Sequence, residues 1–219
     1  MLNTGWVICG TGANDASEGT VAWVNPTNIQ ANDASDATAS ITSLGVSQYL
    51  KATNFNFAAA GLKSGDAIRG IEVQIERGQS TTDVQDTTIR QVDHTGTIVG
   101  DNKSATASWG TYPDVVEFGG AADLWGLTPS ADEVLNSNWG VVFLATQSVP
   151  LTSNIQVDFI KMKITYIKMA NSFGEKGISK RYPVPSSSGV GIDDYHEDRK
   201  IFLEPENCSK VSRKVKETL

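Results

Sequence analysis

The sequence contains few cysteines and no long apolar run. Cys9 and Cys208 lie almost 200 residues apart, which excludes the disulfide framework of a small secreted domain. We expect two free thiols in a reducing compartment, with a disulfide between chains as the alternative. No stretch reaches the roughly 18 consecutive apolar residues of a transmembrane helix, and the N-terminus lacks the basic-then-apolar layout of a signal peptide. We therefore expect no membrane insertion.

Positive charge is also scarce. The chain carries 18 Lys and Arg residues against 25 Asp and Glu residues, a formal net charge of −7. Phosphate groups repel such a chain, so we expect no nucleic-acid partner. Residues 1–168 hold 9 basic and 17 acidic side chains and all five tryptophans, whereas residues 169–219 hold 9 basic and 8 acidic side chains. This change predicts one folded domain over residues 1–168, followed by a segment of different character.

Residues that commonly perform catalysis are few and follow no known motif. His94 lies in a turn-forming segment, and His196 lies in the acidic run 193–198, which is interpreted as solvated rather than metal-binding. No serine-hydrolase elbow, zinc-protease motif or phosphate-binding loop is present. Residues 10–12 are interpreted as a turn, and the Glu72/Glu76 pair as the solvated face of a strand rather than a glycosidase pair. We expect a non-enzymatic protein without a cofactor or metal.

A short sequence repeat suggests the alternative that the protein binds a metal. Ala13-Asn14-Asp15-Ala16-Ser17 recurs at residues 31–35. Asp15, Asp33 and Asp36 could line a calcium site in the loops of a β-sandwich, but their spacing fits no calcium loop. Two similar surface turns are the simpler interpretation.

Residues 1–168 show the alternation of apolar and polar residues that is typical of β-strands. Over residues 70–77, Ile71, Val73 and Ile75 share one face. Residues 154–166 alternate in the same way, but the apolar phase slips by one between Phe159 and Ile160, which predicts a β-bulge. Residues 139–145 form a near-continuous apolar run, as a central strand would. Shorter candidate strands are 5–8, 21–24, 37–41, 48–57, 87–92, 97–99 and 115–118.

Turn-forming residues separate these segments, and only residues 129–135 indicate a helix. Thr128 or Ser130 could cap it, and Asp132 and Glu133 would lie in its first turn, where the helix dipole favours them. Many short strands, one short helix and no long amphipathic helices predict an all-β fold. We expect an antiparallel β-sandwich that is jelly-roll-like.

After residue 168 the alternation stops. The remaining segments have compositions typical of turns, extended chain and flexible linkers, and they contain too few large apolar groups for a core of their own. Residues 169–219 are therefore either disordered or an extended arm that becomes ordered against another chain. Scattered single anchors favour the arm, and the docking residues we expect in it are Phe173, Tyr182, Pro183, Pro185, Tyr195 and Phe202.

Several short signatures follow one another in the predicted β domain. They include Trp23-Val24-Asn25-Pro26, Asp33-x-x-Asp36, the strand over residues 65–77, Asp123-Leu124-Trp125-Gly126 and Val157-Asp158-x-Ile160. In this order, over residues 20–168, they resemble a β-sandwich domain of virion proteins from tailed bacteriophages and of phage-derived proteins in bacterial genomes. The resemblance identifies no catalytic residues, and residues 169–219 fall outside it.

The resemblance implies a non-enzymatic virion structural protein: a capsid decoration protein, a head or neck fibre, or a tail appendage. Its expected partners are other virion proteins of the capsid or tail, and a homo-oligomer is expected because such proteins commonly form symmetric assemblies. Its expected location is the virion, assembled in the host cytoplasm. On this interpretation residues 1–168 form the exposed or oligomer-building sandwich, and residues 169–219 attach it to the particle.

The alternative function is a carbohydrate-binding module for host-surface glycans. Jelly-roll sandwiches bind glycans by stacking exposed aromatic rings on sugars. Trp109, Tyr112 and Trp125 lie in surroundings rich in glycine, serine, threonine and proline, and they are the candidate ligand-binding residues. If they bind no sugar, they plug the ends of the sandwich core. A third interpretation, a secreted bacterial adhesin, is disfavoured because the sequence shows no signal peptide.

Overall fold

The computed structural model of the protein describes residues 1–80, 83–105 and 107–169, and within these residues the chain is built mainly from strands. In chain order the strands are β1 (Leu2–Asn3), β2 (Val7–Ile8), β3 (Thr11–Asp15), β4 (Ala37–Thr42), β5 (Tyr49–Thr53), β6 (Ala67–Gln79), β7 (Val84–Val92), β8 (Ile98–Val99), β9 (Asp114–Gly120), β10 (Gly140–Gln147) and β11 (Thr152–Ile167).

The strands form two antiparallel sheets. The first sheet has the order β4-β11-β6-β9, and β1 and β2 also pair with β11. The second sheet has the order β3-β5-β10-β7-β8. Among the eight strands from β4 to β11, the first and last are neighbours in one sheet, and the second and seventh are neighbours in the other. This is the strand order of a jelly roll, so the predicted jelly-roll-like sandwich is confirmed.

The core lies between the two sheets because the strands alternate. In β6, Ile71, Val73 and Ile75 are buried, whereas Glu72 and Gln74 point to the outer face of the first sheet. In β10 both faces are covered, which explains its continuous apolar run. Its inward residues join the main core, and its outward residues join a second small cluster on the outer face of the second sheet, formed by Tyr49, Val92, Val142 and Leu144.

β11 changes its apolar phase at a bulge. Its pairing with β6 shifts register between Val157 and Phe159, so Asp158 is the extra residue. Val157 faces the core before the bulge, and Ile160 faces it afterwards. The predicted bulge is confirmed, at a position slightly earlier than the sequence indicated.

The turn expected at residues 10–12 is wrong. β3 begins at Thr11 and pairs with β5 from there onward. Gly12 is needed because the chain packs closely: a Cβ atom at this position would collide with the carbonyl oxygen of Pro26. Gly12 therefore permits a close backbone approach inside a strand.

The strand expected at residues 21–24 is also wrong. In this segment only isolated β-bridges form, from Val21 to Ser47 and from Val24 to Thr38. Asn25 then adopts a left-handed conformation with a φ of 53°, and a 3-10 helix follows over Pro26–Ile29. The proline at the first position of that helix has its φ fixed near the helical value, so the extended segment ends there.

The helix α1 (Ala131–Val134) confirms the helix expected near residue 130. Ser130 is its N-cap: its hydroxyl oxygen accepts a hydrogen bond from the Glu133 backbone N–H at 3.2 Å. The Glu133 carboxylate in turn accepts one from the Ser130 backbone N–H at 2.8 Å. This reciprocal capping box stabilises a helix that is too short to form alone.

β11 ends at Ile167, close to the end of the domain expected from the sequence. The docking residues expected after it, Phe173, Tyr182, Pro183, Pro185, Tyr195 and Phe202, lie outside the described residues, so the arm stays a prediction. Within the described ranges, no helix is long and apolar enough to cross a membrane.

Trp125 anchors one end of the core. Its side chain is 0% exposed, and its indole N–H donates a hydrogen bond of 2.9 Å to the Ile71 carbonyl oxygen in β6. Its backbone is left-handed, with a φ of 57°, and is held there by a hydrogen bond of 2.8 Å from its N–H to the Asp123 side chain. The β9–β10 connection thus carries a core residue.

We expect Trp125→Ala to lower the free energy of unfolding by about 3–5 kcal/mol, because it leaves a large cavity and an unpaired Ile71 carbonyl. Trp6→Ala is the matched control, because Trp6 is partly exposed and should cost much less. Urea unfolding of both variants measures the difference. Equal losses would show that Trp125 is not a core anchor.

Candidate functional site

The aromatic residues expected to bind a glycan do not form an exposed surface. Trp109 is 3% exposed and Trp125 is 0% exposed, so neither indole offers a face to a sugar. Tyr112 is partly buried, and its hydroxyl donates a hydrogen bond of 3.1 Å to Asp36. An exposed stacking site on the two tryptophans is therefore wrong, and the other interpretation of them, as residues that plug the core, agrees with the structure.

Trp109 belongs to a buried polar cluster that links the two sheets. Arg77 in β6 forms an ion pair with Asp86 in β7, and both side chains are buried. The Trp109 indole N–H donates a hydrogen bond of 2.9 Å to the same Asp86 oxygen, and the Arg77 guanidinium carbon lies 4.8 Å from the Trp109 ring centroid. A charge pair this deep is tolerated only with such additional partners. Trp109 therefore serves the fold.

Tyr112 borders an acidic cluster at the β11 bulge. Asp158 is buried and accepts a hydrogen bond of 3.4 Å from the Asp33 backbone N–H. Burial, with the nearby charges of Asp36 and Asp33, raises the pKa of Asp158. Burial and the Asp36 carboxylate likewise raise the pKa of the Tyr112 phenol.

The calcium alternative gains no support from this cluster. Asp15 lies away from it in β3 and pairs with Lys51, at 3.5 Å between Lys51 Nζ and Asp15 Oδ2. Across residues 1–80, 83–105 and 107–169, no three His, Cys, Asp or Glu side chains are grouped so that they could hold a metal ion. The two copies of the repeat therefore serve different local structures.

We expect the stability of the protein to depend on Asp158 in a pH-dependent way. The folded-state pKa of Asp158 is raised, so its contribution to stability is lost as pH rises from the unfolded pKa of about 4 through the folded value. Asp158→Asn keeps the hydrogen-bond acceptor but not the charge. Its free energy of unfolding should therefore rise relative to the wild type between acidic and neutral pH.

Urea unfolding at a series of pH values measures this difference, and Asp101→Asn, at an exposed carboxylate, is the control. A difference between Asp158→Asn and the wild type that does not change with pH would contradict the assignment.

Two potentially reactive side chains lie in the described residues, Cys9 and His94. Cys9 is buried, its thiol donates to the Ile29 carbonyl oxygen at 3.4 Å, and burial raises its pKa to about 12. It is thus held as a neutral, inaccessible thiol and cannot form an interchain disulfide without local unfolding. His94 is exposed, with Nδ1 3.4 Å from Glu133 Oε1. Cys208 and His196 lie outside the described residues.

Trp6 is the one tryptophan that stays partly exposed. The other four are buried: Trp23, Trp109, Trp125 and Trp139. Trp6 immediately precedes β2, which pairs with β11 in the first sheet. The Lys163 ammonium lies 4.4 Å from the Trp6 ring centroid. Since Met162 and Ile164 on either side of Lys163 face the core, Lys163 and the indole lie on the outer face of this sheet.

The same face of the sheet carries further hydrogen-bonding side chains. Lys163 Nζ lies 2.9 Å from Glu72 Oε1. On the next pair of strands, Gln74 donates a hydrogen bond of 2.9 Å to Glu117. Lys161 lies directly across from Gln74 in the β6–β11 pairing. We name this surface the Trp6 face; it consists of Trp6, Glu72, Gln74, Glu117, Lys161 and Lys163.

The sequence analysis did not single out Trp6. The alternation of β6 placed Glu72 and Gln74 on an outer face, but nothing local indicated that residue 6 would pair beside residue 163. The available signal was only that Trp6 lies in a short candidate strand, and such a strand does not show which of its faces is covered.

Comparison with known proteins finds a structural similarity but no sequence match. No family model matches the sequence, and no curated protein matches it. Among solved structures, the chain is similar to the family 30 carbohydrate-binding module of a cellulosomal cellulase from Clostridium thermocellum. The identity is 12%, the TM-score is 0.28, and the match covers 74% of this chain and 97% of that module.

Proposed function

We propose that this protein is a non-enzymatic glycan-binding β-sandwich and that a saccharide binds on the Trp6 face. The observation that carries the proposal is the position of Trp6: a partly exposed indole on the outer face of the first sheet, in contact with Lys163 and on the same face as side chains that donate and accept hydrogen bonds. Aromatic rings exposed beside polar groups are common in sites for amphipathic ligands.

The Trp6 indole suits the C–H face of a pyranose ring. Lys163 lies against the ring, so the indole is held by a cation–π contact rather than swinging free. A fixed aromatic surface loses little conformational freedom when a ligand stacks on it. The entropic cost of binding is therefore small for a ligand that adds one stacking contact.

The polar groups of the Trp6 face are also held in place before a ligand arrives. Glu72 is paired with Lys163, and Gln74 with Glu117. Each pair keeps oxygen atoms that can accept from sugar hydroxyls, and Lys161 adds a donor. Because these side chains project from adjacent strands spaced about 4.8 Å apart, they form rows that fit an extended oligosaccharide better than a single sugar.

We expect Trp6→Ala to weaken oligosaccharide binding at least tenfold, a loss of about 1.4 kcal/mol, because the stacking surface disappears. Trp6→Phe should retain part of the affinity. The measurement is a screen of the full chain against cello-, xylo-, manno- and chito-oligosaccharides, followed by calorimetry with the best binder.

Leu44→Ala is the control, since Leu44 is an exposed residue in the β4–β5 connection and not on the Trp6 face. It should bind like the wild type. If no oligosaccharide binds, or if Trp6→Ala binds as well as the wild type, this site does not hold a glycan.

The second candidate function is a virion structural protein of a tailed bacteriophage, attached to the particle through residues 169–219. The order of signatures over residues 20–168 supports it. Several of these residues have defined roles in the fold: Asn25 turns the chain, Asp123 holds the Trp125 loop, and Asp158 forms the bulge. A surface component of a phage that also binds host glycans would combine the two candidate functions.

We expect this protein to be present in purified phage particles of its source. Mass spectrometry should quantify it against the major capsid protein: near-equal copies indicate a head decoration protein, and a few copies indicate a neck, fibre or tail component. A chain ending at residue 169 should fold but fail to incorporate. Absence of the full chain from particles would rule out the virion function, and normal incorporation of the shortened chain would rule out the arm.

A further inference from the structure

The outer face of the first sheet changes character at the end where β4 pairs with β11. Residues 37–50 include β4, residues 139–157 include β10 and the first part of β11, and neither range contains Asp, Glu, Lys or Arg. Ser40 and Thr42 of β4 are exposed on the outer face, because the residues that alternate with them are buried in the core. Asn154 of β11 lies directly across from Ser40 and is exposed as well. This end of the sheet therefore presents uncharged polar groups, unlike the Trp6 face.

Three large apolar side chains border these polar groups and are more than half exposed. Leu44 is 59% exposed and Leu151 is 55% exposed. Their two loops are joined by a hydrogen bond of 3.0 Å from the Ser43 N–H to the Leu151 carbonyl oxygen. Val24, which is 59% exposed, forms a β-bridge to Thr38 at the edge of β4. We name this surface the neutral face; it consists of Val24, Ser40, Thr42, Leu44, Leu151 and Asn154.

The backbone at Leu44 indicates that its side chain has a role outside the turn that carries it. Ser43 and Leu44 both have a positive φ, 38° and 60°, and a hydrogen bond of 3.0 Å from the Gly45 N–H to the Thr42 carbonyl oxygen closes the turn. Glycine and asparagine favour such a turn, whereas a leucine in the left-handed conformation costs free energy. Since Leu44 is also exposed, it is unfavourable in the single chain for two reasons. A partner that covers its side chain removes one of them.

We propose that the neutral face is covered by the same face of a second copy of this chain, in a two-fold symmetric dimer. Residues 1–168 carry 17 acidic and 9 basic side chains, so two copies repel each other, and the neutral face lets them meet without contacts between like charges. Hydroxyl and amide groups both donate and accept hydrogen bonds, so a face built from Ser40, Thr42 and Asn154 is complementary to itself. Apolar residues and few charges are also the composition of homodimer interfaces.

A lipid surface fits the neutral face less well than a second copy does. In hydrocarbon, Ser40, Thr42 and Asn154 would lose their hydrogen-bond partners, which is costly. The six residues of the face include no lysine or arginine that would attract an anionic headgroup. A second copy supplies partners for the hydroxyl and amide groups and covers the two leucines at the same time.

The dimer does not rest on the glycan site proposed above. The neutral face lies at the beginning of β11, whereas Lys163 of the Trp6 face lies near the other end of this strand. Acidic residues mark the border of the neutral face: Asp36 directly precedes β4, and the Asp83 carbonyl oxygen accepts a hydrogen bond of 2.9 Å from the Ser148 N–H. Trp6→Ala therefore removes the stacking ring and leaves the neutral face intact.

The test is sedimentation velocity of the full chain over a range of about 1–200 μM, in which the wild type should change from monomer to dimer. Leu44→Asn should weaken dimerisation about tenfold or more, because it removes exposed apolar area from the interface. Asparagine tolerates the left-handed conformation, so the unfolding midpoint of this variant as a monomer should be no lower than that of the wild type. Ser40→Glu should weaken dimerisation as well, because it brings two like charges into the interface.

Val115→Ser is the matched control, because Val115 is a half-exposed apolar residue on β9, outside the neutral face. Val115→Ser and Trp6→Ala should dimerise like the wild type, and added salt should not dissociate the dimer, because it screens the repulsion between two acidic copies.

Three results would overturn the inference: a wild type that stays monomeric, a dimer that either Leu44→Asn or Ser40→Glu leaves unchanged, or a dimer that salt dissociates. Monomeric wild type that sediments with phosphatidylcholine vesicles, when Leu44→Asn does not, would also overturn it, because lipid would then cover the face. A chain that dimerises but binds no oligosaccharide would contradict the glycan proposal and not this one.

Discussion

The pairing of β6 with β11 is the constraint on which the rest of the structure depends. These two long strands lie at the centre of the first sheet, and β11 also carries β1, β2 and β4 along its other edge. A strand that long can keep apolar residues inside only if its twist and phase match its partner throughout. The bulge at Asp158 makes this match: without the extra residue, every side chain from Phe159 onward would exchange faces. The cost is a buried carboxylate, which loop 31–36 covers with a backbone N–H.

The two ends of the sandwich are closed by different chemistry. At one end Trp125 fills the space between the sheets and binds a main-chain carbonyl of β6. At the other end β6 continues inward with Arg77, whose charge is met by Asp86 across the core and covered by the ring of Trp109. Both devices join a loop to a strand that is distant in sequence. The Asp123–Trp125 and Asp158 signatures of the chain are thus positions that determine the architecture.

The regular parts of this fold were predictable from the sequence, whereas the site was not. Alternation located β6 and β11, and the Ser130 to Glu133 spacing located α1, because these signals are local. The strand at Thr11 was missed because Gly12 reflects a contact with Pro26 that no local pattern shows. For Trp109 and Trp125 the sequence left two interpretations open, exposure for stacking on a sugar or packing at the ends of the core, because their loops are rich in glycine and serine. Whether such a loop folds over the core depends on tertiary packing, as does the exposure of Trp6, which is fixed by a strand pairing about 155 residues away.

The alternation of β6 also separates what the protein must keep from what it can change. Ile71, Val73 and Ile75 hold the core, and Glu72 and Gln74 between them reach only the outer face. Substitutions at the second set alter the chemistry of the surface at little cost in stability, since each removes one surface ion pair or hydrogen bond, and such exposed pairs contribute only about 0.2–1 kcal/mol. The outer face of the first sheet can therefore change during evolution while the core stays the same. Comparison of related chains should show that sequence variability along β6 alternates with a period of two residues.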